Sequence, residues 1–129
     1  MKRVLLVEDE ASIRELEVLN LKMSGWEVLE APTAERALEI LHSGETCDAA
    51  LLDIMLPQIS GYELFSYINE YSIPVIFITA RGELDDKRKA FRMGADDYIV
   101  KPFEIEELLL RTENILRLHG YKNNLLRVG

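Results

Sequence analysis

A chain of 129 residues suffices for one domain around one hydrophobic core, and its 48% hydrophobic and 29% charged residues exclude a disordered protein. A net charge of −8 excludes a basic face for nucleic acid, so any DNA would be touched by another segment or another chain. No apolar run approaches the roughly eighteen residues of a membrane span. Met1-Lys2-Arg3 leads straight into an apolar run without a signal-peptide pattern, and the lone Cys47 reads as a small filler before a strand, so a cytoplasmic location is expected.

The chain alternates two hydrophobic periods. Short apolar runs at Val4–Val7, Trp26–Leu29, Ala49–Leu52, Val75–Ile78 and Tyr98–Val100 predict strands buried between two helix layers. Between them lie helical spacings. Ile13, Leu16, Leu19 and Met23 form the predicted inner stripe of a first helix, which Gly25 ends. Thr33 caps a second helix carrying Ala34, Ala37, Leu38 and Leu41 and stopping near Gly44. A third runs from about Gly61 to Tyr71 with Leu64, Phe65 and Ile68 inward, and a fourth covers Glu83–Met93 before Gly94. The fifth, Glu104–Leu118, places Ile105, Leu108, Leu109, Thr112 and Leu116 on one face. From Gly120 the sequence reads as a polar linker, followed by Leu125, Leu126 and Val128. Five strand–helix alternations predict an α/β, doubly wound three-layer sandwich around a parallel sheet of order 2-1-3-4-5.

Ligands of such a sheet bind beyond the carboxyl ends of its strands. Glu8 and Asp9 follow the first run, Asp53 the third, Thr79 the fourth and Lys101 the fifth. Each has an ordinary alternative: a helix cap for the acidic pair, a loop carboxylate, a buried strand threonine, a solvated loop lysine. Together on one rim they form a site. Three neighbouring carboxylates repel unless a cation compensates them, and oxygen-only ligands in a small site point to Mg2+. A carboxylate oxygen can attack phosphorus and give an acyl phosphate. A metal and a lysine would neutralise the phosphoryl oxygens, a Thr79 hydroxyl could bond them, and Ala80 leaves space.

Four motifs in order resemble the receiver domains of bacterial two-component response regulators, over about residues 2–119. They are Val4-Leu5-Leu6-Val7-Glu8-Asp9-Glu10; Leu51-Leu52-Asp53-Ile54-Met55-Leu56-Pro57 with Gly61; Phe77-Ile78-Thr79-Ala80-Arg81; and Gly94-Ala95-Asp96-Asp97-Tyr98 with Lys101-Pro102-Phe103. The resemblance implies a flavodoxin-like (CheY-like) fold in which Asp53 accepts a phosphoryl group from a partner sensor histidine kinase. It implies Mg2+ held by Glu8, Asp9, Asp53 and the backbone carbonyl of Met55, with Thr79 and Lys101 on the phosphoryl group. Tyr98 corresponds to an aromatic switch that turns inward when Thr79 moves, and Met55 and Arg81 occupy positions that tune phosphoryl lifetime. Beyond assisting its own phosphorylation and dephosphorylation, such a domain is not an enzyme.

The run from Arg81 to Arg111 is most similar to the OmpR/PhoB branch, whose regulators carry a winged-helix DNA-binding domain. In that branch active receivers form homodimers through the fourth helix, fifth strand and fifth helix. The matching cross-subunit pairs are Lys87 with Glu107, Asp97 with Arg111, and Arg92 with Glu113, the last in the reverse of the branch's frequent charge order. Residues 1–119 are thus expected to form the receiver, and 120–129 a linker and the start of an effector domain that lies outside this sequence. Three rival readings differ in kind. A stand-alone receiver would act by docking to another protein, and a full-length reading frame distinguishes it. An aspartate-nucleophile phosphatase of the haloacid-dehalogenase type would carry a second aspartate where Met55 stands. A flavodoxin would need a Gly-, Ser- or Thr-rich phosphate loop where Glu8-Asp9-Glu10 stands.

Overall fold

The computed structural model describes the backbone of residues 1–128 and the side chains of residues 1–119. Five strands, β1 (Arg3–Val7), β2 (Glu27–Ala31), β3 (Ala49–Leu52), β4 (Val75–Thr79) and β5 (Asp97–Val100), alternate with five helices. These are α1 (Ala11–Met23), α2 (Ala34–His42), α3 (Gly61–Asn69), α4 (Leu84–Met93) and α5 (Ile105–Val128). All strand pairs are parallel, in the order β2-β1-β3-β4-β5, as the alternation predicts. The register sets Leu6 beside both Glu30 and Leu51, and Phe77 beside both Leu52 and Tyr98, which brings the ends of the central strands to one edge.

Alternation along the strands divides the core in two. Leu5, Val7, Leu52, Val75, Phe77 and Tyr98 point to the layer of α2, α3 and α4, where they meet Ala37, Leu64, Phe65 and Ala90. Val4, Leu6, Leu51, Ile76, Ile78 and Ile99 point to α1 and α5 and meet Val18, Leu21, Leu108 and Leu116. Both faces of β3 and β4 are therefore covered, which is why their sequences are continuous apolar runs. Each fully buried Leu, Ile or Phe contributes about 1.5–3 kcal/mol of transfer free energy.

The helix ends follow local chemistry. The Thr33 and Ser60 hydroxyls accept from the N–H groups of Arg36 and Glu63 at 3.1 and 3.2 Å, capping α2 and α3. Gly94, at φ 108°, ends α4 in the left-handed region that a side chain would disfavour.

Two expectations need correction. The inner face of α1 is not the Ile13, Leu16, Leu19, Met23 stripe: Leu16, Leu19 and Met23 are exposed, and the buried residues are Glu17, Val18 and Leu21. Both sets fit a 3.6-residue period, and packing against β1, β3 and α5 selects the phase of Val18 and Leu21. The second concerns α5, whose backbone remains helical through Val128, across the segment read as a polar linker. That segment contains no proline, and its one glycine costs a helix only about 1 kcal/mol. The side chains of Leu125, Leu126 and Val128 lie outside the described residues. Among the described residues, no helix is long and apolar enough to cross a membrane.

Candidate functional site: an acidic rim held by a lysine

The rim begins where β1 stops. The Glu8 N–H donates to the Ala31 carbonyl at 3.2 Å and Arg14 Nη1 donates to the Glu8 carbonyl at 2.8 Å, holding its backbone, while Oε2 of the 3%-exposed side chain accepts from the Glu10 N–H at 3.2 Å. Beyond β3, Asp53 is buried, and its Oδ1 accepts from the Met55 N–H at 2.9 Å, closing a tight local turn. The Gly61 N–H binds the Ile54 carbonyl at 2.7 Å and ties the start of α3 to this loop. At the end of β4 Thr79 is fully buried, and its Oγ1 accepts from the Arg81 N–H at 3.3 Å. Beyond β5, the Lys101 N–H donates to the Thr79 carbonyl at 2.8 Å.

Lys101 closes the site. Its Nζ lies 2.6 Å from Glu8 Oε1 and 3.1 Å from Asp53 Oδ2, joining residues 93 and 48 positions apart. Burial works against its charge, but the hydrogen bonds and charges of Glu8 and Asp53 prevail and raise its pKa. Glu8, Asp53 and Lys101 therefore meet. Thr79 stands on the same edge with its hydroxyl turned to Arg81. Asp9 and Met55 are exposed at the mouth.

One residue of this neighbourhood escaped the sequence reading. Glu17 of α1 is 1% exposed, and neither carboxylate oxygen has a hydrogen-bond partner among the described residues. It interrupts the inward phase of Val18 and Leu21, and a charge in that phase was the signal available. Burial first, then the charge of Glu8, pushes its pKa up from the usual 4.5 to about 8, with Asp53 adding to the shift and Lys101 opposing it. The folded chain thus holds a proton that the unfolded chain has released between pH 4.5 and about 8. Stability from this group is complete below the lower value and is lost as pH rises through the upper one, by up to about 1.4 kcal/mol per pH unit. Thermal melts across that interval are expected to fall more steeply for the wild type than for Glu17→Gln. Parallel curves would contradict the assignment.

Among the described residues, no three acidic, histidine or cysteine side chains converge closely enough to hold a metal ion. The donor chemistry nevertheless fits a small hard cation. Glu8 and Asp53 are both oxygen donors, and an ammonium group already stands between them as a positive charge. A metal there would share the Glu8 and Asp53 oxygens with Lys101, and the exposed Asp9 is the next carboxylate in the chain able to join them.

Tyr98 is 7% exposed and inward, its ring against Phe77 and Phe91 at centroid separations of 6.3 and 6.4 Å. Its hydroxyl donates to the Arg81 carbonyl. Burial, chiefly, pushes that phenol up to about 12. The ring is thus inward while Thr79 still holds Arg81. Next to it, Lys87, Glu107 and Arg111 line one surface hollow between α4 and α5. Arg111 Nη1 contacts both oxygens of Asp97 at 3.0 Å within the same chain, so this pair is already formed without a second subunit. Arg92 and Glu113 are exposed on α4 and α5. Cys47 is half-buried and burial pushes its thiol up to about 11, in keeping with a filler.

An acidic pocket closed by a lysine at the carboxyl edge of a 2-1-3-4-5 sheet defines a receiver-type signalling domain. Residues 4–113 match the response regulator receiver domain, and the chain belongs to that family. It is 42% identical over 123 residues to the phosphate regulon transcriptional regulatory protein PhoB of Pseudomonas aeruginosa, covering 92% of this chain and 53% of that protein. It is 37% identical over 125 residues to the heme response regulator HssR of Staphylococcus aureus, covering 96% of this chain and 55% of that protein. The chain spans about half the length of these curated relatives. A crystal structure of a CheY-like receiver domain protein from Methanospirillum hungatei superposes with a TM-score of 0.88 at 30% identity, covering 95% of this chain and 98% of that one.

Proposed function

We propose that this chain is the phosphoacceptor domain of a two-component transcriptional regulator, with Asp53 as the acceptor of a phosphoryl group from the histidine of a sensor kinase. The observation that carries this reading is the Lys101 ammonium shared between Glu8 and the buried Asp53. Receiver domains generally use Mg2+, and here Glu8, Asp9, Asp53 and the Met55 carbonyl would hold it. When bound, the cation would neutralise the incoming phosphoryl oxygens. Asp53 Oδ2, released by Lys101, is the nucleophile that bonds to phosphorus as the bond to the donor's leaving nitrogen or oxygen breaks. Lys101 then follows the charge onto a phosphoryl oxygen. Thr79 donates its hydroxyl to another, giving up the Arg81 N–H, and Tyr98 is retained inward by the Arg81 carbonyl. Beyond this self-directed chemistry the domain signals and is not a general enzyme.

The output proposed is transcription control through an effector domain outside this sequence, in the cytoplasm; similarity to transcriptional regulators about twice as long supports it. Incubation with acetyl phosphate and Mg2+, followed by intact mass, tests the acceptor reading. One added phosphoryl group, absent when EDTA is present throughout the incubation, is expected, and an unchanged mass would refute it.

Phosphorylation is further proposed to favour a homodimer through α4, β5 and α5. Because the Asp97–Arg111 pair is already satisfied within one chain, it adds little across the interface; Lys87–Glu107 and Arg92–Glu113 would supply the selectivity. Arg92→Glu is expected to weaken the phosphorylated dimer by up to about tenfold in sedimentation or size-exclusion titrations. The double reversal Arg92→Glu with Glu113→Arg is expected to restore it. A dimer indifferent to both would remove this pair from the interface.

A further inference from the structure

Among the described residues, Glu17 is a buried acid with neither oxygen hydrogen-bonded. A buried acid with two unpartnered oxygens is rare in a folded protein and costly, so it calls for a physical reason. The neighbour able to supply one is Lys101. Glu17 and Lys101 line the same crevice between α1 and the turn from β5 to α5, alongside Ile13, Leu16, Phe103 and Ile105. The ammonium has three donors, and two are engaged by Glu8 and Asp53 on the rim side. The crevice walls are largely apolar, so an acid there would hold a lysine more strongly than an acid in water would.

We propose that Glu17 is a positioning residue, a second acceptor that receives Lys101 when it lets go of Glu8. This rests on the acceptor reading of Asp53, and it supplies a step that reading leaves unexplained. In the arrangement described, Lys101 occupies one oxygen each of Glu8 and Asp53, the two carboxylates that a cation and a phosphoryl donor would have to share with it. With Glu17 behind it, the ammonium can withdraw from Glu8 and still meet an acceptor, the Glu17 carbonyl oxygen. Without Glu17, that withdrawal leaves the ammonium one acceptor short. Burial and the charge of Glu8 keep Glu17 protonated near neutrality, so at rest it does not compete for the lysine; its carbonyl oxygen is free to accept when the lysine swings towards it.

The test compares Glu17→Leu and Glu17→Gln with the wild type, with Glu17→Met as a second apolar variant should leucine not fold. Three quantities are read: melting temperature, Mg2+ affinity by calorimetric titration, and the rate of phosphoryl uptake from acetyl phosphate. The Lys101 Nζ resonance, followed by NMR during the Mg2+ titration, reports the lysine directly. Leucine is expected to raise the melting temperature, because an unpartnered buried acid is gone. It is also expected to weaken Mg2+ binding and slow uptake by about fivefold, the factor of one net hydrogen bond. Glutamine keeps an acceptor and is expected to restore most of both losses. An apolar variant that is more stable, binds Mg2+ as tightly and leaves the Lys101 resonance moving as in the wild type would overturn the proposal, since a merely structural misfit would behave that way. A wild-type chain that takes up no phosphoryl group would sink the acceptor reading alone. The Mg2+ titration and the lysine resonance would still decide the role of Glu17.

Discussion

Gly61→Ala is expected to destabilise the domain by about 3 kcal/mol, lowering its melting temperature by on the order of 10 °C. A Cβ at this position would stand 2.1 Å from the Asp53 carbonyl oxygen, 2.6 Å from Ile54 Cα and 2.8 Å from the Asp53 carbonyl carbon. All three are backbone atoms of the acid loop, so no side chain can rotate away to relieve the contact. The Gly61 N–H also binds the Ile54 carbonyl at 2.7 Å, so moving α3 outward breaks the tie that positions the loop. The effect should reach function as well as stability. Displacing the Asp53 carbonyl shifts its carboxylate relative to Lys101, and phosphoryl uptake is expected to fall in the folded fraction that remains. A Gly61→Ala protein with wild-type melting and uptake would show that α3 does not press on this loop.

Asp53→Asn is expected to reduce Mg2+-dependent phosphoryl uptake to background while leaving the fold intact. The amide keeps the size of the side chain and an oxygen that can accept the Met55 N–H, so the loop geometry persists. What it loses is the carboxylate oxygen that now accepts from Lys101 and that would bond to phosphorus. Lys101 retains Glu8 at 2.6 Å, and removing one of the clustered negative charges relieves repulsion, so melting should change little. The phosphorylation-linked shift to dimer should vanish with the uptake. Wild-type labelling in this variant would move the acceptor elsewhere.

Much of the architecture could be read directly from the chain, for identifiable reasons. β3 and β4 are covered on both faces, so Ala49–Leu52 and Val75–Ile78 carry an unbroken apolar signal. Thr33 and Gly94 mark helix ends by their own chemistry. The rim was legible because parallel strands end together, so the residues after each run, Glu8, Asp53 and Lys101, had to be neighbours. The face of α1 was not. Leu16, Leu19 and Met23 keep a helical period but face solvent, while Glu17 takes an inward position that any hydrophobicity count assigns outward. Periodicity gives the spacing of a stripe, and only packing chooses its phase when two are available. The end of α5 was illegible for a related reason: polar residues without proline permit a helix as readily as a linker. Nor could spacing reveal that Lys101 leans on Glu8 as well as Asp53, or that Arg111 is already paired with Asp97 in its own chain, because both depend on side-chain rotamers.

The central claim is that Asp53 itself becomes the acyl phosphate, and hydride reduction tests it most directly. Treating the phosphorylated chain with borohydride converts a phosphoaspartyl group to homoserine, and peptide mass mapping then locates the changed residue. Homoserine at position 53, absent when Mg2+ is withheld, is the expected result. Reduction at Asp9, Glu8 or any other carboxylate, with position 53 still aspartate, would contradict it.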